Sequence, residues 1–211
     1  HFMVKGTLRE PSVGDLQQAC RMARALQVLL ERYSADGAAI ACFNLLKTGT
    51  TCCLGASYLN DVGPWGVACE GDLDSAVTML MLKKLGVRKV WMANPVLCPG
   101  GEVQFSHCTA PVWETNGWVL RSHHESGIGV SVESFMPSGT VTGCRISAKF
   151  NAAAVWKGEA YSGERLLQAL RPLLSAERRS KVDRAIQMVR MIHLLPMLQE
   201  SGVFSSLLHL L

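Results

Sequence analysis

A short apolar run, Trp65-Gly66-Val67-Ala68, leads into three closely spaced acids, Glu70, Asp72 and Asp74, and then into a helix-forming segment over 77–85. Nothing else in the chain narrows the fold as much. A strand that gives way directly to a helix places the residues between them at the carboxyl edge of a sheet, where open α/β folds keep their ligand sites. Asp72 or Asp74 suits a helix start, because a short acidic side chain accepts the first free backbone N–H groups. Glu70 precedes the glycine and lies outside the helix, so capping does not account for it. Histidine-bearing segments follow downstream at His107 and His123-His124. A carboxylate combined with imidazoles points to a metal or proton-transfer site.

The flanking pattern supports an α/β reading. Leu16, Ala19, Cys20, Ala23, Leu26, Leu29 and Leu30 share one face at helical spacing. They predict a helix over 13–33, with Ser12 or Asp15 at its start and the sequence Ser34-Ala35-Asp36-Gly37 ending it. An apolar run predicts a buried strand over 38–43, followed by a helix over 50–60, a strand over 65–69, a helix over 72–85 and a strand over 89–92. Strand alternating with helix implies a parallel sheet. After Asn94-Pro95 the signals change to short strands at 103–108, 118–122, 129–134, 140–147 and 152–159, separated by turns such as Met136-Pro137-Ser138-Gly139. The expected fold class is therefore α/β followed by mostly antiparallel β. It comprises a parallel-sheet α/β unit over 1–95, a β-barrel-like unit over 96–162, and a helical C-terminal segment over 163–211 broken at Pro172 and Pro196.

Composition excludes several classes. Hydrophobic residues are 48% of the chain and charged residues 18%, which is globular rather than disordered. The net charge of +4 is mild and its basic residues are scattered, so the chain has no nucleic-acid footprint. No apolar run is long enough for a membrane span, and no signal-peptide pattern opens the sequence. The eight cysteines mostly lie inside apolar segments, which predicts a cytoplasmic protein with cysteines acting as small buried hydrophobes. Cys52-Cys53 are adjacent rather than spaced as in a zinc knuckle. A redox or zinc role for Cys52, Cys53, Cys69 and Cys108 is a further reading, and reaction with a thiol reagent in the folded state probes it.

Each histidine also has a plainer reading as a surface or core residue. His1, His193 and His209 sit at a terminus or in helical stripes and receive no role. Glu125 reads either as a strand-end charge or as a group that orients a histidine.

Several segments together resemble the L-fucose/L-arabinose isomerase group, especially its fucose-isomerase-like proteins. They are Asn60-Asp61-Val62-Gly63, the stretch from Ala68 to Leu73, Trp91-Met92-Ala93-Asn94-Pro95, Ser106-His107-Cys108-Thr109-Ala110-Pro111, and Leu120-Arg121-Ser122-His123-His124-Glu125-Ser126-Gly127. They occur in the family's order between Ile40 and Glu159. The resemblance implies an oligomeric aldose–ketose isomerase with N-terminal α/β domains and a β-barrel region, acting on a fucose- or arabinose-type sugar. A divalent metal, usually Mn²⁺, polarises the sugar carbonyl as a Lewis acid. A carboxylate moves a proton between C1 and C2 through an enediol. On that resemblance Glu70 is the catalytic carboxylate and a metal ligand, and His107 is a second metal ligand. His123 contacts substrate or metal, and Asn94 contacts substrate.

The chain departs from the family in three respects. Asn94 stands where the second acidic ligand is expected, the closing histidine-rich segment is not visible, and the N-terminal domains are missing, as in a C-terminal fragment. The competing expectation is therefore a non-catalytic carbohydrate-binding or structural homologue with an incomplete metal site. Implied partners are a small sugar and further copies of the chain, with no nucleic acid and no membrane.

Overall fold

The computed structural model describes residues 6–98, 101–161, 175, 179–180, 182–184 and 187. One compact unit holds the described residues up to Ser134 together with Thr142–Gly158. A second holds Phe135–Val141 and the described residues from Glu159 onward. In the second unit the Thr140 hydroxyl donates to Glu159 at 2.8 Å. Most of the helical stripes expected beyond residue 163, with Pro172 and Pro196, lie outside the described residues.

The first unit begins with strand β1 (Gly6–Leu8) and helix α1 (Val13–Arg32). Ser12 caps α1 in a full capping box: its hydroxyl accepts from the Asp15 N–H, and the Asp15 carboxylate accepts from the Ser12 N–H at 2.8 Å. Strand β2 (Gly37–Ala39) ends earlier than expected, because the chain turns helical at once in α2 (Cys42–Leu45). Helix α3 (Cys53–Val62) is buried along most of its length. Its Gly55 faces Ala23 of α1, where an added Cβ would come within 3.0 Å of the Ala23 Cα. Glycine inside a helix costs about 0.5–1 kcal/mol relative to alanine, and here it permits close contact between the two helices.

Strand β3 (Gly66–Ala68) pairs in parallel with β2, Ala38 opposite Val67. The other edge of β3 is satisfied by a side chain. Asn60, at the end of α3, donates to the Val67 carbonyl and accepts from the Val67 N–H, both at 2.8 Å. One buried amide thus takes the place of a neighbouring strand, meeting the requirement that buried backbone groups be paired. This has a consequence for the strand expected over 89–92. Val90 and Met92 are buried as a strand's alternate residues would be, but β3 has no free edge to offer and no ladder forms. Helix α4 (Leu73–Lys84) follows β3. Its Lys83 donates to the carbonyls of Asn60 and Gly63, where the C-terminal end of α3 favours a cation.

The remaining strands are β4 (Asn94–Leu97), β5 (Val103–Ser106), β6 (Trp118–Arg121), β7 (Ser131–Ser134), β8 (Gly139–Ile146) and β9 (Ala153–Ala160). The sheets are β1–β6–β7, β2–β3, β4–β5 and β8–β9. The fold is mixed α/β, with small parallel sheets among N-terminal helices and antiparallel hairpins after them. The parallel pairing and the later antiparallel strands agree with the sequence, but the expected barrel-like closure is absent among the described residues. Closure requires strands paired on both sides. Only β3, through β2 and the Asn60 side chain, and β6, through β1 and β7, approach that condition. No helix among the described residues is long and apolar enough to cross a membrane.

Three apolar clusters hold this unit together. Ala68, Cys69, Met79, Val90 and Met92 form one, Leu54, Val112, Trp118, Leu120 and Val130 a second, and Leu30, Ala56, Leu59 and Val67 a third. Helix α3 supplies Leu54 to the second and Leu59 to the third, and α1 reaches all three through Met22, Ala19 and Leu30.

Candidate functional site

After β3 the chain turns sharply. Glu70 at φ 58° and Gly71 at φ 67° are both in the left-handed region, which a glutamate enters at a cost of order 1–3 kcal/mol. Three contacts hold the turn. The Gly71 N–H donates to the Ile40 carbonyl at 2.8 Å, the Asp72 N–H to the Cys69 carbonyl at 3.0 Å, and the Glu70 N–H to the Cys42 sulfur at 3.3 Å. In the β4–β5 register Asn94 lies opposite Ser106, so the base of this hairpin brings Asn94 beside the residue that precedes His107.

These elements meet at one carboxylate. Glu70 Oε1 is 3.4 Å from His107 Nε2 and 3.4 Å from the Asn94 amide nitrogen. The His107 side chain is 2% exposed and that of Glu70 39%. His107 Nε2 is near enough to Glu70 for an ion pair, yet its direction makes no hydrogen bond, and it is a buried nitrogen without a hydrogen-bond partner. Nδ1 is occupied, lying 2.8 Å from the Thr109 hydroxyl. The Thr109 N–H also donates to Nδ1 at 3.3 Å, which leaves the ring proton on Nε2 facing Glu70, and a metal bound at Nε2 would displace that proton.

A divalent ion such as Mn²⁺ fits this donor set in kind. A half-exposed carboxylate, a buried imidazole nitrogen and an amide whose oxygen can be turned inward are all acceptable ligands. The set carries one negative charge where two acids are expected, because Asn94 is neutral. Glu70, His107 and Asn94 are therefore brought together.

Asp72 does something else. It caps α4, accepting from the Ser75 N–H at 2.9 Å and the Ser75 hydroxyl at 2.8 Å, and it pairs with Arg145 at 2.7 Å. Burial pushes its carboxyl up, but Arg145 and the Ser75 donors outweigh this and hold it below the usual aspartate value. Asp74 is 3.4 Å from the same guanidinium. Asp72 is therefore the cap, and Asp74 is a first-turn acid of α4.

His123 belongs to a different group. It is buried, its Nδ1 lies 3.0 Å from the Ser126 hydroxyl, and its ring meets Phe43 edge-on at 6.4 Å. Burial pushes its pKa down, and His124 adds to that effect while Glu125 opposes it. Glu125 Oε2 is 4.0 Å from His123 Nε2, and His124 is largely exposed.

Sequence reasoning underestimated the cysteines. Cys42, Cys52, Cys53 and Cys69 are buried free thiols, as their apolar surroundings predict. They are also neighbours of one another. The Cys69 side chain interacts with those of Cys108, Cys52, Cys53 and Cys42, and these hydrogen bonds pull its thiol well below the usual range despite burial. Hydrogen bonding to Cys69 and Cys53 with burial pushes Cys108 far up. Cys52 rises in the same way through Cys42 and Cys69. Cys53 is drawn down by Cys108, but Cys69 and burial prevail and push it up to about 12. Two sets bring ligand atoms within 4.8 Å of one another: Cys53, Cys108 and His123, and Cys69, His107 and Cys108. The available sequence signal was adjacency, since Cys69 precedes Glu70 and Cys108 follows His107.

A concavity of about 350 Å³ lined by Asp61, Lys83, Arg88 and Trp113 shares no lining residue with either group. The chemistry is concentrated at Glu70 and the thiols rather than in that hollow. No family model, no curated protein and no solved structure matches this chain.

Proposed function

We propose that this chain is a metal-dependent aldose–ketose isomerase of the fucose/arabinose type, acting in carbohydrate metabolism. The observation that carries the reading is the meeting of Glu70, His107 and Asn94, with the unpartnered His107 Nε2 facing the carboxylate at 3.4 Å. Glu70 and His107 would hold the ion, which when bound supplies Lewis-acid polarisation of the sugar carbonyl. Glu70 is half-exposed, so it can reach a sugar carbon and carry a proton between C2 and C1 through an enediol. Thr109 fixes the His107 ring. Asn94 hydrogen-bonds a sugar hydroxyl beside the carboxylate. His123, which the resemblance places at the substrate, is buried with Cys53 and Cys108, and this reading needs no sugar contact from it. Free thiols at all eight cysteines support a cytoplasmic location, and apolar side chains exposed on β4 and β5 support a homo-oligomer.

Thermal melting with added Mn²⁺ tests this reading. A ligand that binds only the folded chain stabilises it by about 2.7 kcal/mol at a hundredfold excess over Kd. The melting temperature should rise with Mn²⁺, Glu70→Ala should abolish the rise, and L-fucose or L-arabinose should be converted to its ketose. No shift at saturating Mn²⁺ sinks the proposal.

Asn94 favours a second reading, a carbohydrate-binding homologue without turnover, because a neutral amide neither neutralises the cation nor serves as a base. Sugar binding without conversion is its signature. In that case Asn94→Asp should tighten Mn²⁺ binding by restoring the second charge.

A further inference from the structure

We propose that Cys53, Cys108 and His123 bind Zn²⁺, with Cys69 as the fourth donor. The inference is independent of the isomerase reading, since the donors are different and prefer different metals.

The ligands come from separate parts of the chain. Cys53 opens α3, Cys69 follows β3, Cys108 lies just beyond β5, and His123 follows β6. Their convergence requires the folded chain, and three of their ligand atoms already lie within 4.8 Å of one another. Tetrahedral Zn²⁺ with bonds of about 2.3 Å to sulfur and about 2.0 Å to nitrogen separates its ligand atoms by about 3.5–3.8 Å. For Cys53, Cys108 and His123 shifts of up to about 1 Å close the gap. Cys69 lies within 4.8 Å of Cys108 in a second set that it shares with His107, which brings a third sulfur to the edge of the site.

The surroundings suit a closed structural site. His123 and Cys53 are buried, and Cys69 is 1% exposed. Ser126 sits 3.0 Å from His123 Nδ1. When Nδ1–H donates to that hydroxyl, Nε2 keeps its lone pair for a metal, the usual role of a second partner on a ligating histidine. His107 competes for the same sulfurs, but its Nδ1 is occupied by Thr109 and its Nε2 faces Glu70. Thiolate and imidazole donors select Zn²⁺ over Mn²⁺, whereas the Glu70, His107 and Asn94 set offers the oxygen donors that Mn²⁺ accepts. Each thiol releases its proton to solvent as the metal binds.

The test uses the full reduced chain, stripped with a chelator and titrated with Co²⁺ as a visible stand-in for Zn²⁺. One equivalent should give thiolate-to-cobalt charge-transfer absorption and intense tetrahedral d–d bands, and Zn²⁺ should bleach both. Cys53→Ser, Cys108→Ser and His123→Gln should each weaken Co²⁺ binding at least tenfold, while Glu70→Gln leaves the spectrum unchanged. Because a cysteine variant can fail to fold, the unsubstituted protein supplies a second readout. Zn²⁺ should protect Cys53 and Cys108 from alkylation, read by peptide mass spectrometry. A weak octahedral spectrum without charge transfer, or alkylation indifferent to Zn²⁺, overturns the site. Loss of the band in His107→Gln but not in His123→Gln overturns the assignment of the histidine.

Discussion

Strand pairs β4–β5 and β6–β7 are both antiparallel ladders of four-residue strands, yet their burial is opposite. Trp118, Val119 and Leu120 of β6 are buried under α3 and the 110–112 segment, while every residue of β4 and β5 is exposed. Backbone pairing is the same in kind, so cover rather than pairing decides what becomes core. The uncovered hairpin nevertheless carries chemistry at its base, because Asn94 and the His107 segment meet Glu70 there. A buried floor thus supports a rim that packing holds only at one end, where local stability is expected to be low.

The contrast makes predictions that fall in order of size. Leu120→Ala should cost about 2–5 kcal/mol in chemical denaturation, because the site is fully buried, whereas Leu97→Ala, at 84% exposure, should stay within about 0.5 kcal/mol. Comparable losses at both positions would break the comparison. Asn60→Ala comes next, at about 1–3 kcal/mol, since it strands the buried Val67 N–H and carbonyl. Asparagine-for-strand pairing fails as an explanation if that variant melts like the parent.

Asp72→Ala should cost about 1 kcal/mol through loss of the α4 cap. The folded Asp72 carboxyl lies below its unfolded value of 3.8, so its contribution is complete above that value and disappears as pH falls through the folded one. Arg145→Met should therefore lose less stability than the parent between pH 7 and about pH 3. The smallest effect belongs to Glu70→Gly. Relief of the left-handed backbone should raise stability by up to about 1 kcal/mol while the Mn²⁺-dependent rise in melting temperature is lost. A destabilised variant that still responds to Mn²⁺ would remove Glu70 from the rim's chemistry.

Much of this architecture is legible in the residues. Helix α1 and its Ser12 cap, the strand-to-helix junction at Asp72, and most later strands follow from periodicity and turn chemistry, although Cys20 and Leu29 of the α1 stripe are exposed. Burial was not legible, because β4 and β6 are both apolar and only the fold shows which is covered. The strand expected over 89–92 failed for a reason outside that segment, namely the Asn60 side chain that occupies the edge of β3. At the site, Glu70 stood out because capping left it unexplained, and His107 and Asn94 do lie beside it. Cys53, Cys69 and Cys108 figure in the sequence as a redox or zinc set, but the convergence of Cys53 and Cys108 on His123 was not legible, because these residues are far apart in sequence and each cysteine looks locally like a small apolar residue. His123 was drawn toward the sugar by resemblance, and its three-dimensional neighbours are sulfurs.

The pairing of β1 with β6 has a consequence for biosynthesis. Gly6–Leu8 lies in register with Trp118–Leu120, and nearby Arg121 clasps Glu10 across a separation of 111 positions. On the ribosome β1 must wait, unpaired, until its partner emerges, and closing so long a loop is slow. Among the described strands β1 is made before the others, yet it pairs only after β6 is made. Arrested nascent chains ending before residue 118 should leave the β1 segment open to protease, and chains that expose residue 134 should protect it. Protection in the shorter chains would show that β1 is held by something other than β6.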